Sequence, residues 1–373
     1  MITIAISANT SWYIYNFRRN TILKLFALGY KVLIIAPKDS YSIKIIDLGC
    51  DFISVDIQQR GKNPLKDLLT LWGFYKIYKK IKPAFVLNFT PKNNIYSTLA
   101  ASYLKINVIN NIAGLGSVFI NDSMTNKIAR KLYKISQPRA NKIFFQNKDD
   151  KEFFCAMCKG TVNENIIDLL PGSGVDLERF SFSPAPNDQV VRFILVARML
   201  FDKGISYYAR AAHKLKDIYG AEVEFYLLGF IDEKHSGSIS KEQISSWVDT
   251  GYINYLGISD KVEEEIGHAD CVVLPSFYRE GVPKSLLEAA AMGKPIVTTN
   301  NVGCKETVED GVNGFLCEPR SAESLIHAMD RIIKLSHEQR LAMGHKSREL
   351  VERKFDEKFV IEKYINAIKD LTD

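Results

Sequence analysis

Short apolar runs alternate with helical stretches along the whole chain, and this alternation limits the fold more than any other feature. In the first half the strand-like runs are Ile2–Ser7, Lys31–Ala36, Phe52–Val55, Ala84–Asn88, Asn107–Asn111, Lys142–Phe145 and Ile166–Leu169. In the second they are Arg192–Ala197, Glu222–Leu228, Ile253–Leu256, Cys271–Leu274 and Pro295–Thr299. Strands that alternate with helices form parallel sheets covered on both faces, a doubly wound α/β architecture. Ligands of such sheets bind outside the carboxyl ends of the strands. Gly and Pro concentrate between the halves, in Leu170-Pro-Gly-Ser-Gly-Val-Asp176 and Pro184-Ala-Pro186, which marks a linker. A length of 373 residues suits two domains. The expected division is 1–172 and 175–355.

The densest chemistry lies in Pro275-Ser-Phe-Tyr-Arg-Glu280-Gly-Val-Pro-Lys-Ser-Leu-Leu-Glu288-Ala-Ala-Ala-Met-Gly293. An apolar run ends at Leu274, a short loop carries Glu280 and Gly281, and Pro283 opens a helix that closes at Gly293. The backbone of Gly281, Val282 and Pro283 thus leads into a helix N-terminus, where N–H groups and the helix dipole favour an anion such as a diphosphate. Glu280 and Glu288 are too far apart to share one proton. Two acceptors bracketing an anion site suit a ligand with a diphosphate in its middle and a hydroxyl-rich sugar at each end.

This E-x7-E stretch resembles the retaining glycosyltransferases of family 4. The resemblance implies a GT-B fold: two doubly wound Rossmann-like domains facing across a cleft, with the final helix (356–373) crossing back onto the first domain. It also implies that Glu280 faces the donor sugar and Glu288 bonds the nucleotide ribose. Earlier, Val196-Ala-Arg198-Met-Leu-Phe-Asp-Lys203-Gly204 puts two cations after a strand, Arg as a planar fork and Lys as a point charge. The resemblance gives Arg198 and Lys203 the task of binding the donor diphosphate and stabilising it as it leaves. It places the nucleobase at Leu256, Gly257 and Ile258, and reads 302–316 as strand-end loops and a hairpin. Gly-Leu-Gly-Ser, residues 114–117, resembles bacterial transferases that add an N-acetylhexosamine to undecaprenyl-diphosphate-linked sugars.

The first half departs from the family in two places. The loop after the first run has no glycines, which counts against a dinucleotide fingerprint, and all six His lie from His213 onward, so the family's site His is missing. Asn16, Arg18, Lys92, Gly114, Gly116 and Ser117 are the acceptor-side candidates. The stretch Arg60 to Pro83 reads as a basic amphipathic helix from Pro64 to Ile81, which fits either an anionic membrane surface or a crossover helix packed on the sheet. A second basic stretch runs from Asn126 to Lys142.

Charge is divided unevenly: residues 1–185 sum to +12 and residues 186–373 to −6. A basic first half implies an anionic partner: membrane, nucleic acid or a phosphorylated acceptor. No nucleic-acid module is present, and the basic residues are spread over helices. The six cysteines have no framework spacing, and Cys155-x-x-Cys158 lacks a second pair for zinc. No secretory signal or run of ~18 apolar residues occurs. These features suit a cytoplasmic protein held peripherally at the inner face of the membrane.

Without an Asp-x-Asp sequence, no metal and no cofactor beyond the co-substrate is expected. The resulting expectation is transfer of a hexosyl group, N-acetylgalactosamine or another N-acetylhexosamine, from a UDP-sugar to an undecaprenyl-diphosphate-linked sugar. Alternatives are the same fold with another donor and a soluble acceptor, a UDP-sugar 2-epimerase, or a non-enzymatic nucleic-acid binder.

Overall fold

The computed structural model describes residues 1–58, 63–116 and 123–372. The chain forms two compact units, Met1–Ser173 with Lys358–Asp373, and Gly174–Glu357. Each is a parallel sheet with helices on both faces.

The first unit holds β1 (Thr3–Ser7), β2 (Lys31–Ala36), β3 (Asp51–Ser54), β4 (Phe85–Asn88), β5 (Asn107–Ile112), β6 (Lys142–Phe145) and β7 (Ile167–Leu169). They pair in the order β3-β2-β1-β4-β5-β6-β7. The order reverses at β1, so crossovers leave on opposite faces and a crevice opens between the exits of β1 and β4. Helices Ser11–Ala27 and Glu357–Asp370 pack on one face, through Ile14, Ile22, Leu25, Val360 and Tyr364. Helices Pro64–Ile81, Thr98–Tyr103 and Met124–Ser136 pack on the other, through Phe74, Tyr78, Ala101 and Tyr133.

A buried layer of amides and hydroxyls lies at the carboxyl end of this sheet. Ser7 Oγ donates to Asn88 Oδ1 (2.6 Å), Asn88 Nδ2 to Asn110 Oδ1 (2.9 Å), and Asn110 Nδ2 to Gln137 Oε1 (2.8 Å). Asn93 Nδ2 donates to Ser7 Oγ (3.0 Å), which ties the π-helical turn Asn93–Ser97 to the end of β1. Buried groups satisfied in this way fix one arrangement of the strand ends.

The second unit holds β8 (Val191–Val196), β9 (Val223–Leu228), β10 (Asn254–Gly257), β11 (Cys271–Leu274), β12 (Ile296–Thr299) and β13 (Gly314–Cys317). Their order is β10-β9-β8-β11-β12-β13, reversing at β8. Here the structure corrects one expectation. The segment expected as a hairpin ends in β13, which pairs parallel with β12 from Ile296↔Gly314 to Thr299↔Cys317. The turn at Gly311 only brings the chain round to enter the sheet. The chain enters and leaves this unit side by side: the Val175 N–H donates to the Phe355 carbonyl (2.9 Å) and the Glu357 N–H to the Val175 carbonyl (3.1 Å).

Backbone-to-backbone approaches lock the strand-exit loops of the second unit. Gly204 (φ +79°) leaves no room for a side chain, since a Cβ there would lie 2.1 Å from the Pro275 carbonyl oxygen. At Gly303 (φ +81°) a Cβ would lie 1.9 Å from the Gly281 carbonyl oxygen. Gly311 has a similar φ of +75° and nothing within 4 Å. Gly311→Ala therefore incurs only the left-handed backbone cost of about 1–2 kcal/mol, whereas Gly303→Ala adds a clash and costs about 2–4 kcal/mol. Denaturant midpoints of the two variants at matched m-values check the difference; equal losses would show that the Gly281 loop yields freely.

Candidate active site

Three loops leave the carboxyl ends of β8, β11 and β12 around the strand-order reversal of the second unit. The β8 loop carries Arg198, exposed to solvent, and a single 3₁₀ turn, Phe201–Lys203, that Gly204 closes before helix Ile205–Tyr219. The β11 loop runs from Pro275 to Pro283, the N-cap of helix Lys284–Ala291. The Asp202 carbonyl joins these two loops, accepting from the N–H groups of Phe277 (3.0 Å) and Tyr278 (3.2 Å). From the β12 loop, Asn301 Nδ2 donates to the Tyr278 carbonyl (2.9 Å).

Lys203 and Glu280 meet in this framework. Their side chains form an ion pair, with only 14% and 13% of each exposed. Ser276 Oγ donates to the same Glu280 oxygen (3.0 Å), and the Tyr278 ring centroid lies 5.4 Å from Lys203 Nζ. The family resemblance implies a separate task for each residue, one toward a diphosphate and one toward a sugar. The structure joins them, through two loops that come together only when the sheet forms. Ser276, Tyr278 and Asn301 escaped the sequence reading; their one signal is their place within a few residues of a strand end.

Gly281 and Val282, at the end of this loop, are buried, with Val282 in the core, and lead into the helix that carries Glu288. Part of Glu288 reaches solvent, yet desolvation by its surroundings pushes its carboxyl up to about 7, against the opposing pull of Lys284 and Arg179. Arg179 is itself paired with Glu263 (2.9 Å). Across the sheet, β10 is the edge strand. Leu256 and Ile258 are exposed there, Gly257 turns with φ +74°, and the Gly257 carbonyl accepts from the Gly229 N–H (2.7 Å). The cation follows β8, the half-buried acceptor lies in the helix after β11, and the open apolar edge is β10, all reached from the carboxyl side of one sheet, an arrangement that can hold an extended anionic ligand with an apolar end.

The first-unit candidates are placed differently. Arg18 is buried inside the unit: its guanidinium lies 4.4 Å from the Phe89 ring centroid, with Tyr364 at 5.8 Å, and donates to the Tyr13 hydroxyl (3.3 Å). That corrects the expectation of a side chain open to an acceptor, because aromatic rings from three segments close over it. Asn16 Nδ2 donates to the Trp12 carbonyl (2.9 Å). Lys92 pairs with Asp67, which also accepts from the Tyr96 hydroxyl (2.9 Å), so it fastens helix Pro64–Ile81 to the β4 exit. Gly114 and Gly116 follow β5, where the Leu115 N–H donates to Asp150 (3.2 Å). Ser117, like Arg60 to Lys62, lies outside the described residues. Among the described residues no three His, Cys, Asp or Glu converge to hold a metal ion, and the cysteines are free thiols.

The fold and these strand-end loops define a class. A glycosyltransferase from Rickettsia africae superposes with a TM-score of 0.81 at 19% identity, covering 100% of this chain and 99% of that one. Anabaena HepE, solved in complex with UDP, superposes with a TM-score of 0.77 at 13% identity over 99% and 100% of the two chains. The protein has the GT-B fold.

Residues 191–334 match the model of glycosyl transferases group 1, and residues 3–147 match that of glycosyl transferase 4-like domains. Over 370 residues, 94% of each chain, it is 29% identical to the N,N'-diacetylbacillosaminyl-diphospho-undecaprenol alpha-1,3-N-acetylgalactosaminyltransferase of Campylobacter jejuni. It is 26% identical to the UDP-Gal:alpha-D-GlcNAc-diphosphoundecaprenol alpha-1,3-galactosyltransferase of Escherichia coli, over 84% of this chain and 81% of that one. Both units thus match glycosyltransferase models, group 1 and 4-like, and the chain is a hexosyltransferase.

The Glu288 shift sets a pH dependence. A carboxyl raised from 4.5 to about 7 on folding binds more protons in the folded state, so its contribution to stability is complete below about pH 4.5 and is lost as pH rises through about 7. Wild-type melting temperature is therefore expected to fall across this window relative to Glu288→Gln. Parallel melting curves from pH 4.5 to 8 would contradict the assignment.

Proposed function

We propose that this enzyme transfers an N-acetylhexosamine, with N-acetylgalactosamine preferred, from a UDP donor to an undecaprenyl-diphosphate-linked sugar, with retention and without a metal ion. The observation that carries this reading is the pairing of Lys203 with Glu280 at the strand-order reversal of the second unit, with Arg198 on the same β8 loop as Lys203. The Campylobacter relative, an N-acetylgalactosaminyltransferase acting on a diphospho-undecaprenol-linked sugar and similar along nearly the whole chain, supports the donor and acceptor.

In the proposed reaction Arg198, Lys203 and the backbone around Gly281 and Val282 receive the diphosphate. Leu256, Gly257 and Ile258 border the base, and Glu288 accepts from the ribose. The bond between the sugar C1 and the diphosphate oxygen breaks, and the acceptor oxygen bonds C1 on the same face. Its proton passes to the departing phosphate. Negative charge grows on the diphosphate as the bond opens, and preorganised cations stabilise it there more than in the ground state. Glu280, released from Lys203, orients the sugar hydroxyls. Acceptor contacts are assigned to the loops after β4 and β5, which carry Lys92, Gly114, Gly116 and Ser117, and to Asn16. Peripheral association with the inner face of the cytoplasmic membrane would bring the enzyme to its lipid-linked acceptor; among the described residues no helix is long and apolar enough to cross a membrane.

The test is a transfer screen with UDP-, GDP- and dTDP-sugars against undecaprenyl-diphosphate-sugar acceptors. One UDP-N-acetylhexosamine is expected to be used, with kcat lowered about 10²-fold or more in Lys203→Ala and in Glu280→Gln. A protein that binds no nucleotide sugar would sink the reading, and transfer only to a soluble oligosaccharide would replace the acceptor. Turnover is also expected to persist in excess EDTA. Complete loss in chelator with recovery on adding manganese would overturn the metal-free mechanism.

A further inference from the structure

Helix Pro64–Ile81 buries Thr70, Phe74 and Tyr78 against the first sheet. Its opposite face is apolar where a surface helix is ordinarily polar. Leu65, Leu68, Leu69 and Trp72 fall at i, i+3, i+4 and i+7, and their exposures are 72%, 61%, 68% and 52%. Along the same face the next turns carry exposed Lys76, Lys79 and Lys80, with Lys76 Nζ 5.5 Å from the Trp72 ring centroid. Helix Met124–Ser136 repeats the pattern: it buries Tyr133 and exposes Met124, Ile128 and Ile135 beside Lys127, Lys131 and Lys134. Both helices pack on the π-helical turn Asn93–Ser97 and join the same core, so their outer faces lie on one side of the sheet. Between them Tyr103 is exposed and stands edge-on to Tyr75, 5.7 Å between centroids.

Charge on this side has one sign. The two helices carry eight Lys and Arg and a single acid, Asp67, and Lys92 and the Tyr96 hydroxyl engage that acid. Apolar side chains with Trp and Tyr at the level of flanking lysines match the depth profile of a lipid headgroup region, in which ring and alkyl groups enter and ammonium groups meet phosphates. A nucleic-acid backbone would use the lysines and leave the leucine stripe exposed to water.

We propose that this face, led by Leu65, Leu68, Leu69 and Trp72, seats on an anionic phospholipid surface, with the helix Pro64–Ile81 lying in the plane of the headgroups. The inference deepens the reading of a lipid-linked acceptor by naming the surface that meets the bilayer, and it rests on that reading only for the biological membrane concerned.

The full chain, with Trp12→Phe and Trp247→Phe so that Trp72 alone reports, would be sedimented with vesicles of phosphatidylethanolamine and phosphatidylglycerol in equal parts, and with phosphatidylcholine vesicles. Expected are preferential, salt-weakened binding to the anionic vesicles and a blue shift of Trp72 emission on binding. Leu68→Gln with Leu69→Gln should weaken partitioning about tenfold, and Lys76→Glu with Lys79→Glu and Lys80→Glu about 10²-fold or more. Both variants change exposed side chains and should keep the wild-type melting temperature and the wild-type rate on a short-chain, water-soluble diphosphate-sugar acceptor. Equal binding to both vesicle types, an unshifted Trp72, or variants that partition like wild type would overturn the proposal. So would tighter binding to duplex RNA than to vesicles, or a wild-type dimer that the variants dissociate. Vesicle binding without transfer to any acceptor would leave this surface standing and remove the functional reading instead.

Discussion

Strand order is the constraint on which the site depends. In both units the first strand lies inside the sheet, so the chain builds outward on one side, returns, and builds on the other. Parallel strands need crossovers of one hand, and the two sets of crossovers therefore cover opposite faces. At the reversal nothing crosses, and the loops leaving the two adjacent strands separate. Lys203 and Glu280 arrive at the second reversal from β8 and β11. Their meeting follows from topology, and the close backbone approaches at Gly204 and Gly303 set how near the loops come.

The helix Pro64–Ile81 shows why periodicity alone left two readings open. Apolar residues on both sides of a helix leave no single stripe, so the pattern does not name which face meets the core. Packing separated them: Phe74 and Tyr78 cover the sheet, while the leucines and Trp72 remain outside. A crossover helix and a helix with an apolar outer face are here the same element.

Fold class was legible in the sequence because buried parallel strands are short apolar runs bounded by turn residues. Lys31–Ala36, Lys142–Phe145 and Cys271–Leu274 have the bounds read from the sequence, and helix Pro64–Ile81 begins and ends as expected. β13 was not legible, because Gly311 and Gly314 signal a turn without saying which strand the chain joins afterwards. Arg18 follows a run of aromatic and polar residues that reads as a surface, and its burial depends on Tyr364 near the other end of the chain. The pairings Lys92–Asp67 and Lys203–Glu280 are long-range, so local spacing carries no trace of them. What could be read at the candidate site was residue type and position after a strand; which residues touch was set by the tertiary structure.

The Lys203–Glu280 pair also bears on discrimination between ligands. An anion that approaches Lys203 competes with a carboxylate already in place, so its net gain is an exchange of counter-ions and not the full attraction of a bare cation. A ligand that brings only phosphate oxygens draws Lys203 away from the carboxylate and offers Glu280 nothing in exchange. One that also brings hydroxyl donors can satisfy both partners at once. The pair thus favours molecules in which an anion and hydroxyl donors are joined over the separated fragments, so a ligand that lost its hydroxyl-bearing part would be held less well than the whole.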